Sequence, residues 1–243
     1  MAFTNSGDYL AIVYRKSRNS HHESDLLVFK IDRQTLFDSE NLDTEKINTS
    51  TTLDITALCY TKNDDYLMCG TNVGKIMILQ RTPPKNTSAD NRKPNKWQFV
   101  KIIVGFHKSE VIKICFSAKF RYMASLDLKG QLVIWNGESW TMLFCIQKEC
   151  SRLYKHLEWH PFVEEELIFG KSMYPALYLI NVVQKKVVAG YNNWKEDMEI
   201  TDISFNPITA QLAVCFYMSG KIDEAKLAAL PNKLIAFIFR GMH

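Results

Sequence analysis

Four stretches align without gaps: Ile55 to Thr61 (ITALCYT), Val111 to Ser117 (VIKICFS), Tyr154 to His160 (YKHLEWH) and Ile200 to Asn206 (ITDISFN). Their fourth position is Leu58, Ile114, Leu157 or Ile203, and their sixth is aromatic: Tyr60, Phe116, Trp159 or Phe205. Apolar side chains two residues apart share one face of a strand, so each stretch reads as a strand with one side in a core. Phe3 fits the same aromatic slot, with the strand before it missing. A polar turn comes next. It leads into an apolar strand opening with Tyr9-Leu10, Tyr66-Leu67, Tyr122-Met123, Leu167-Ile168 or Leu212-Ala213.

The repeat extends to a third strand, in Leu26 to Asp32, Lys75 to Arg81, Gln131 to Asn136 and Ala176 to Asn181. A fourth is visible in Phe99 to Val104, Thr141 to Gln147, Lys185 to Ala189 and Leu234 to Phe239. Successive aromatic slots lie 57, 56, 43 and 46 residues apart. The last two intervals match the period of about 40 to 45 residues of a four-stranded propeller blade. The first two are lengthened by polar insertions, Arg33 to Thr52 and Thr82 to Lys96, and the second, rich in Pro, Asn and Lys, is expected to be an irregular exposed loop. An antiparallel sandwich would also alternate. It would not repeat together the turn, the aromatic slot and a third strand ending in a large apolar and then a polar residue: Ile31-Asp32, Leu79-Gln80, Trp135-Asn136 and Ile180-Asn181.

The expected fold is therefore all-β, a β-propeller whose repeat resembles that of the WD40 type. It is expected to be incomplete, with about four to five four-stranded blades near 1–52, 53–106, 107–150, 151–196 and 197–243. Tyr60, Phe116, Trp159 and Phe205 are expected to be buried between successive sheets. An open fan of blades should leave apolar faces exposed at its ends, including those of Phe237 and Phe239.

These features resemble the WD-repeat family. Its signature dipeptide stands as Trp135-Asn136, and Gly105-Phe106-His107 lies where a Gly-His pair opens a blade; Gly241-Met242-His243 repeats that spacing. From Val111 onward the chain resembles the fizzy family of anaphase-promoting-complex activators. The matching residues are Phe120 to Ser125, Leu132 to Asn136, Leu157 to Phe162, Leu167 to Gly170, Ile203 to Pro207 and the segment Lys226 to His243. That resemblance implies a substrate-recognition activator that binds degron peptides on the propeller face in mitosis or meiosis. Its partners would be anaphase-promoting complex subunits and degron-bearing substrates. The family's Arg-containing docking box and Ile-Arg tail are absent from this sequence. The alternative is a general WD-repeat interaction scaffold in another assembly.

Composition narrows the function further. Of 243 residues 47% are hydrophobic and 23% charged, ordinary values for a folded globular chain. A net charge of +4 is mild and scattered, which argues against nucleic-acid and membrane-surface partners. No apolar run reaches the roughly 18 residues of a membrane span. The six cysteines lack a disulfide framework, so reduced thiols in a cytoplasmic or nuclear protein are expected.

Enzyme signatures are weak. His156 and His160 stand four apart, but zinc proteases need His-Glu-x-x-His on a helix and this segment reads as a strand. Gly70 to Lys75 has too short a spacing for a phosphate loop and reads as a β-turn in which Gly74 supplies a positive φ. No cofactor, metal site or catalytic constellation is expected. What remains is binding by the turns between second and third strands and by the links between blades. Peptide capture is assigned to Asn72, His107, Lys129, Tyr174, Trp194 and Tyr217.

Overall fold

The computed structural model describes residues 1–18, 21–31, 44–47, 53–82, 96–147, 154–171, 173–192, 198–218 and 234–240. The described residues are strands and turns throughout. The chain divides into two compact units, Met1–Ile114 and Cys115–His243.

The first unit begins with β1 (Ala2–Phe3), β2 (Tyr9–Arg18), β3 (His21–Lys30) and β4 (Thr44–Ile47), an antiparallel sheet in chain order. A second antiparallel sheet follows, of β5 (Ile55–Tyr60), β6 (Tyr66–Thr71), β7 (Ile76–Thr82) and β8 (Lys96–Ile103). Their facing sides share one core. Ala11, Leu26, Val28 and Ile47 of the first sheet cluster with Tyr60, Leu67, Cys69, Met77, Leu79 and Trp97 of the second. Each large apolar side chain buried this way contributes about 1.5–3 kcal/mol. At one end the Asp64 carboxylate, in the β5–β6 turn, reaches the β1–β2 turn. It accepts hydrogen bonds from Asn5 N (2.7 Å), Asn5 Nδ2 (2.9 Å) and Ser6 N (3.1 Å).

The junction between the units falls inside β9 (Val111–Phe116), the first strand of a sheet with β10 (Tyr122–Asp127), β11 (Gln131–Asn136) and β12 (Met142–Gln147). The second unit continues with β13 (Tyr154–Trp159), β14 (Glu166–Lys171), β15 (Ala176–Asn181) and β16 (Lys186–Tyr191). It closes with β17 (Met198–Phe205), β18 (Leu212–Met218) and β19 (Leu234–Arg240). Glu164, in the β13–β14 turn, does for the β9–β10 turn what Asp64 does in the first unit. It accepts from Ser117 Oγ, Lys119 N (2.8 Å) and Arg121 N (3.1 Å). Trp159 stacks on Tyr122 at 6.1 Å and donates from Nε1 to the Cys115 carbonyl at 3.2 Å.

The aromatic slot is confirmed by position: Tyr60, Phe116, Trp159 and Phe205 each end the first strand of a sheet. Tyr60 and Trp159 are buried, but Phe116 and Phe205 are only half-buried. Strand register also corrects the repeat alignment. Phe3 faces Leu10, Tyr60 faces Leu67, Trp159 faces Leu167 and Phe205 faces Leu212, so Leu167 and Leu212 correspond to Leu10 and Leu67 rather than to the preceding tyrosines.

Three expectations about strands change. The first polar insertion contains β4, which pairs with β3 through Leu26↔Ile47. The ends of the second insertion, Thr82 and Lys96, are a strand pair, and 83–95 lie outside the described residues. The segment Leu234 to Phe239, read as a fourth strand, instead lies directly beside β18 and parallel to it, making a three-stranded sheet. A parallel pair cannot be joined by a tight hairpin and needs a long connection. The Phe237 and Phe239 side chains lie outside those described.

Candidate functional site

In an antiparallel meander the turns joining second to third strands, and the links from one sheet to the next, emerge at the same end of the sheets. In the first unit that end carries the turn from Thr71 to Lys75. Thr71 Oγ1 donates to the Lys75 carbonyl at 3.0 Å and accepts from Lys75 N at 3.0 Å. The Asn72 amide N donates to the Asp54 carbonyl at 3.0 Å, fixing the exposed Asn72-Val73 tip over the link into β5. Gly74 has φ 76°, and a Cβ there would meet the His107 and Ser109 carbonyl oxygens. Only glycine combines that backbone with that approach. The turn thus packs on the Phe106 to Ser109 link, and His107 itself is buried (6% exposed), facing the fold rather than solvent.

In the second unit the equivalent turn, Asp127 to Gln131, is organised by Asp127. Its buried carboxylate accepts from Gln131 N at 2.9 Å, and its carbonyl accepts from Gly130 N at 2.9 Å. Beneath it Trp135 Nε1 donates to Ser125 Oγ at 2.8 Å, both side chains being fully buried. Leu128 and Lys129 stand exposed at the tip.

The next turn carries Met173 and Tyr174, which are 50% and 59% exposed. Met173 makes a β-bridge to Glu199 of β17, and Glu199 in turn faces Tyr217 of β18. With strands ~4.8 Å apart, this lays Met173, Glu199 and Tyr217 in one row about 10 Å long. Tyr174 holds a left-handed φ of 50°, uncommon for a residue with a Cβ. Buried His156 supports the row from below: its Nε2 is 2.9 Å from the Ile200 carbonyl, tying β13 to β17.

Of the six residues assigned to peptide capture, Tyr217 lies in this row, and exposed Tyr174 follows Met173 at its end. Asn72 and Lys129 are exposed at their own turn tips, His107 is buried, and Trp194 lies outside the described residues. Sequence reasoning missed the role of Glu199, because a bridge between neighbouring sheets leaves no local pattern. His160, four residues after His156, accepts at Nδ1 from Phe162 N (3.2 Å) and Val163 N (3.0 Å), so both histidines make structural hydrogen bonds. No group of three or more potential metal ligands occurs among the described residues. No described helix is long and apolar enough to cross a membrane.

Repeated meandering sheets, an aromatic closing each first strand and exposed turns at one end define a WD-repeat β-propeller protein. The family model for the WD repeat-containing protein 75 second beta-propeller matches residues 1–227, and the chain belongs to that family. Among solved structures the chain is similar to the C-terminal WD40 domain of Sif2, with 13% identity and a TM-score of 0.59 over 88% of this chain and 53% of that one. It is also similar to the RRP9 WD40 repeats, with 16% identity and a TM-score of 0.49 over 63% of this chain and 42% of that one. The chain therefore spans about half the length of these WD40 domains. No curated protein matches it. WD40 domains mediate protein–protein interaction and are generally non-enzymatic. The family model and the Sif2 match support the WD-repeat resemblance and do not single out the fizzy family within it.

Proposed function

We propose that this chain is a non-enzymatic interaction module that holds a segment of a partner protein against its exposed turns, as a scaffold within a larger cytoplasmic or nuclear assembly. The observation that carries this reading is the Met173–Glu199–Tyr217 row with Tyr174 at its end. A thioether, two phenol rings and one carboxylate on a strand-anchored surface combine adaptable apolar contact with polar specificity. Tyrosine in particular is enriched among residues that dominate binding energy. The test is affinity purification of the full-length product beside a Tyr174→Ala/Tyr217→Ala variant, with a melting curve for each. Loss of a defined set of partners at unchanged melting temperature is expected; an unchanged partner set overturns this placement of the site.

The narrower reading, recruitment of degron-bearing substrates to the anaphase-promoting ligase, rests on the motifs from Phe120 to Pro207 that resemble the fizzy family. The same purification separates it from the general scaffold. Ligase subunits among the partners lost by the double variant favour recruitment, and their absence leaves the scaffold.

A further inference from the structure

The turns joining first to second strands share one closing device, and in one sheet that device is titratable. The last residue of each aligned stretch, with Thr4 in the first sheet, turns its side chain back as an acceptor for backbone N–H groups. Thr4 Oγ1 accepts from Tyr9 N (2.9 Å), Thr61 Oγ1 from Tyr66 N (3.2 Å) and Ser117 Oγ from Tyr122 N (3.0 Å). Asn206 Oδ1 accepts from Ile208 N (2.8 Å) and Thr209 N (3.1 Å). His160 does the same work as Asn206 through Nδ1, accepting from Phe162 N (3.2 Å) and Val163 N (3.0 Å). A hydroxyl or a carboxamide stays an acceptor throughout the neutral range. An imidazole takes up a proton within about pH 5–8 and then carries a donor on each nitrogen.

The segment that His160 holds carries Phe162, 59% exposed, and runs directly into Glu164, whose carboxylate accepts from Ser117, Lys119 and Arg121. The His160 ring lies 6.2 Å from that of Phe162 and 5.2 Å from that of Phe205 on β17. Glu158, two residues back on β13, and Glu166, across on β14, share its side of the sheet, and His160 N donates to the Glu166 carbonyl at 2.9 Å. His156 on the same face is held by the Ile200 carbonyl. On β17 Asp202 accepts from Ile203 N, and the β17–β18 turn from Asn206 to Gln211 has no titratable side chain. Glu164 and Glu165 are engaged with the β9–β10 turn, Glu165 lying 3.6 Å from Arg121.

We propose that His160 is a proton switch for the β13–β14 turn. Neutral, it closes the turn and sets Glu164 in place on the β9–β10 turn. Protonated, its Nδ1 becomes a donor, the Phe162 and Val163 amides lose their acceptor, and the imidazolium turns to the Glu166 carboxylate. The closed turn is present while the imidazole is neutral and is lost as the pH falls through its titration.

The test is NMR of the full chain labelled with nitrogen-15, from about pH 8 down to 5, beside His160→Asn, which installs the acceptor that Asn206 provides. At the alkaline end the His160 ring should be the Nε2–H tautomer. On acidification the Phe162 and Val163 amide signals should move with the midpoint of the His160 ring, followed by those of Lys119 and Arg121. In His160→Asn these movements should be lost. Should that variant fail to fold, the wild-type titration decides alone, because ring and amides must share one midpoint. A neutral ring protonated at Nδ1 overturns the proposal. So do Phe162 and Val163 amides that stay fixed while the ring titrates, or that move equally in His160→Asn. Lys119 and Arg121 signals that stay fixed while Phe162 and Val163 move overturn the link to Glu164.

Discussion

Two carboxylates occupy matching places in the two units. Asp64 collects three donors from the turn of the preceding sheet, and Glu164 does the same with Ser117, Lys119 and Arg121. Both side chains are buried, so truncation removes the shared acceptor from three hydrogen bonds at once and leaves a void. Glu164→Ala is expected to cost about 2–3 kcal/mol in urea denaturation, and Glu164→Gln less, since the amide oxygen still accepts. Cysteine chemistry supplies a second residue-scale test. Burial pushes the Cys69 thiol far above its ordinary pKa, so it stays protonated through the neutral range, whereas Cys145 is exposed. Only the thiolate is nucleophilic. Iodoacetamide at neutral pH should therefore modify Cys145 in the native protein and Cys69 only after unfolding, as read by peptide mass spectrometry.

Among the elements, the Thr71 to Lys75 turn is the most constrained. Gly74→Ala would combine a left-handed backbone with a collision against the His107 and Ser109 carbonyls. A loss of about 2 kcal/mol or more in thermal or chemical denaturation is expected. That glycine was readable from its turn composition, as were the strands around it, because alternation and a closing aromatic are local signals. β4 was not, since Thr44 to Ile47 offers one apolar side chain within a polar segment. The place of β19 was not readable either. Apolar alternation marks a strand without saying which neighbour it takes or in which direction it runs. The site divides the same way: turn position exposed Tyr174 and Tyr217 to sequence reasoning, whereas the burial of His107 and the bridge from Met173 to Glu199 depend on how distant segments meet.

At the scale of the whole molecule, each unit is stabilised by contacts between its own neighbouring sheets, as in other repeat proteins. Each carboxylate anchor lies within one unit, so its effect should stay there. In hydrogen exchange read by mass spectrometry, Asp64→Ala should lower amide protection mainly in β1 to β8, and Glu164→Ala mainly in β10 to β18. Equal loss across all sheets would show that the chain opens as one cooperative body.

The parallel pairing of β19 has a consequence for how the protein is made. On a translating ribosome, a strand's second edge stays open until its next partner emerges, briefly where a tight hairpin joins the two and longer where a parallel neighbour needs a long connection. β18 is of the second kind. One of its edges stays open until residues 234–240 emerge, a wait of roughly one to a few seconds at ~5–20 residues per second. Throughout that interval the nascent chain offers Leu212 to Met218, an apolar strand edge, to any other strand within reach, and this is the moment at which a holding chaperone would act.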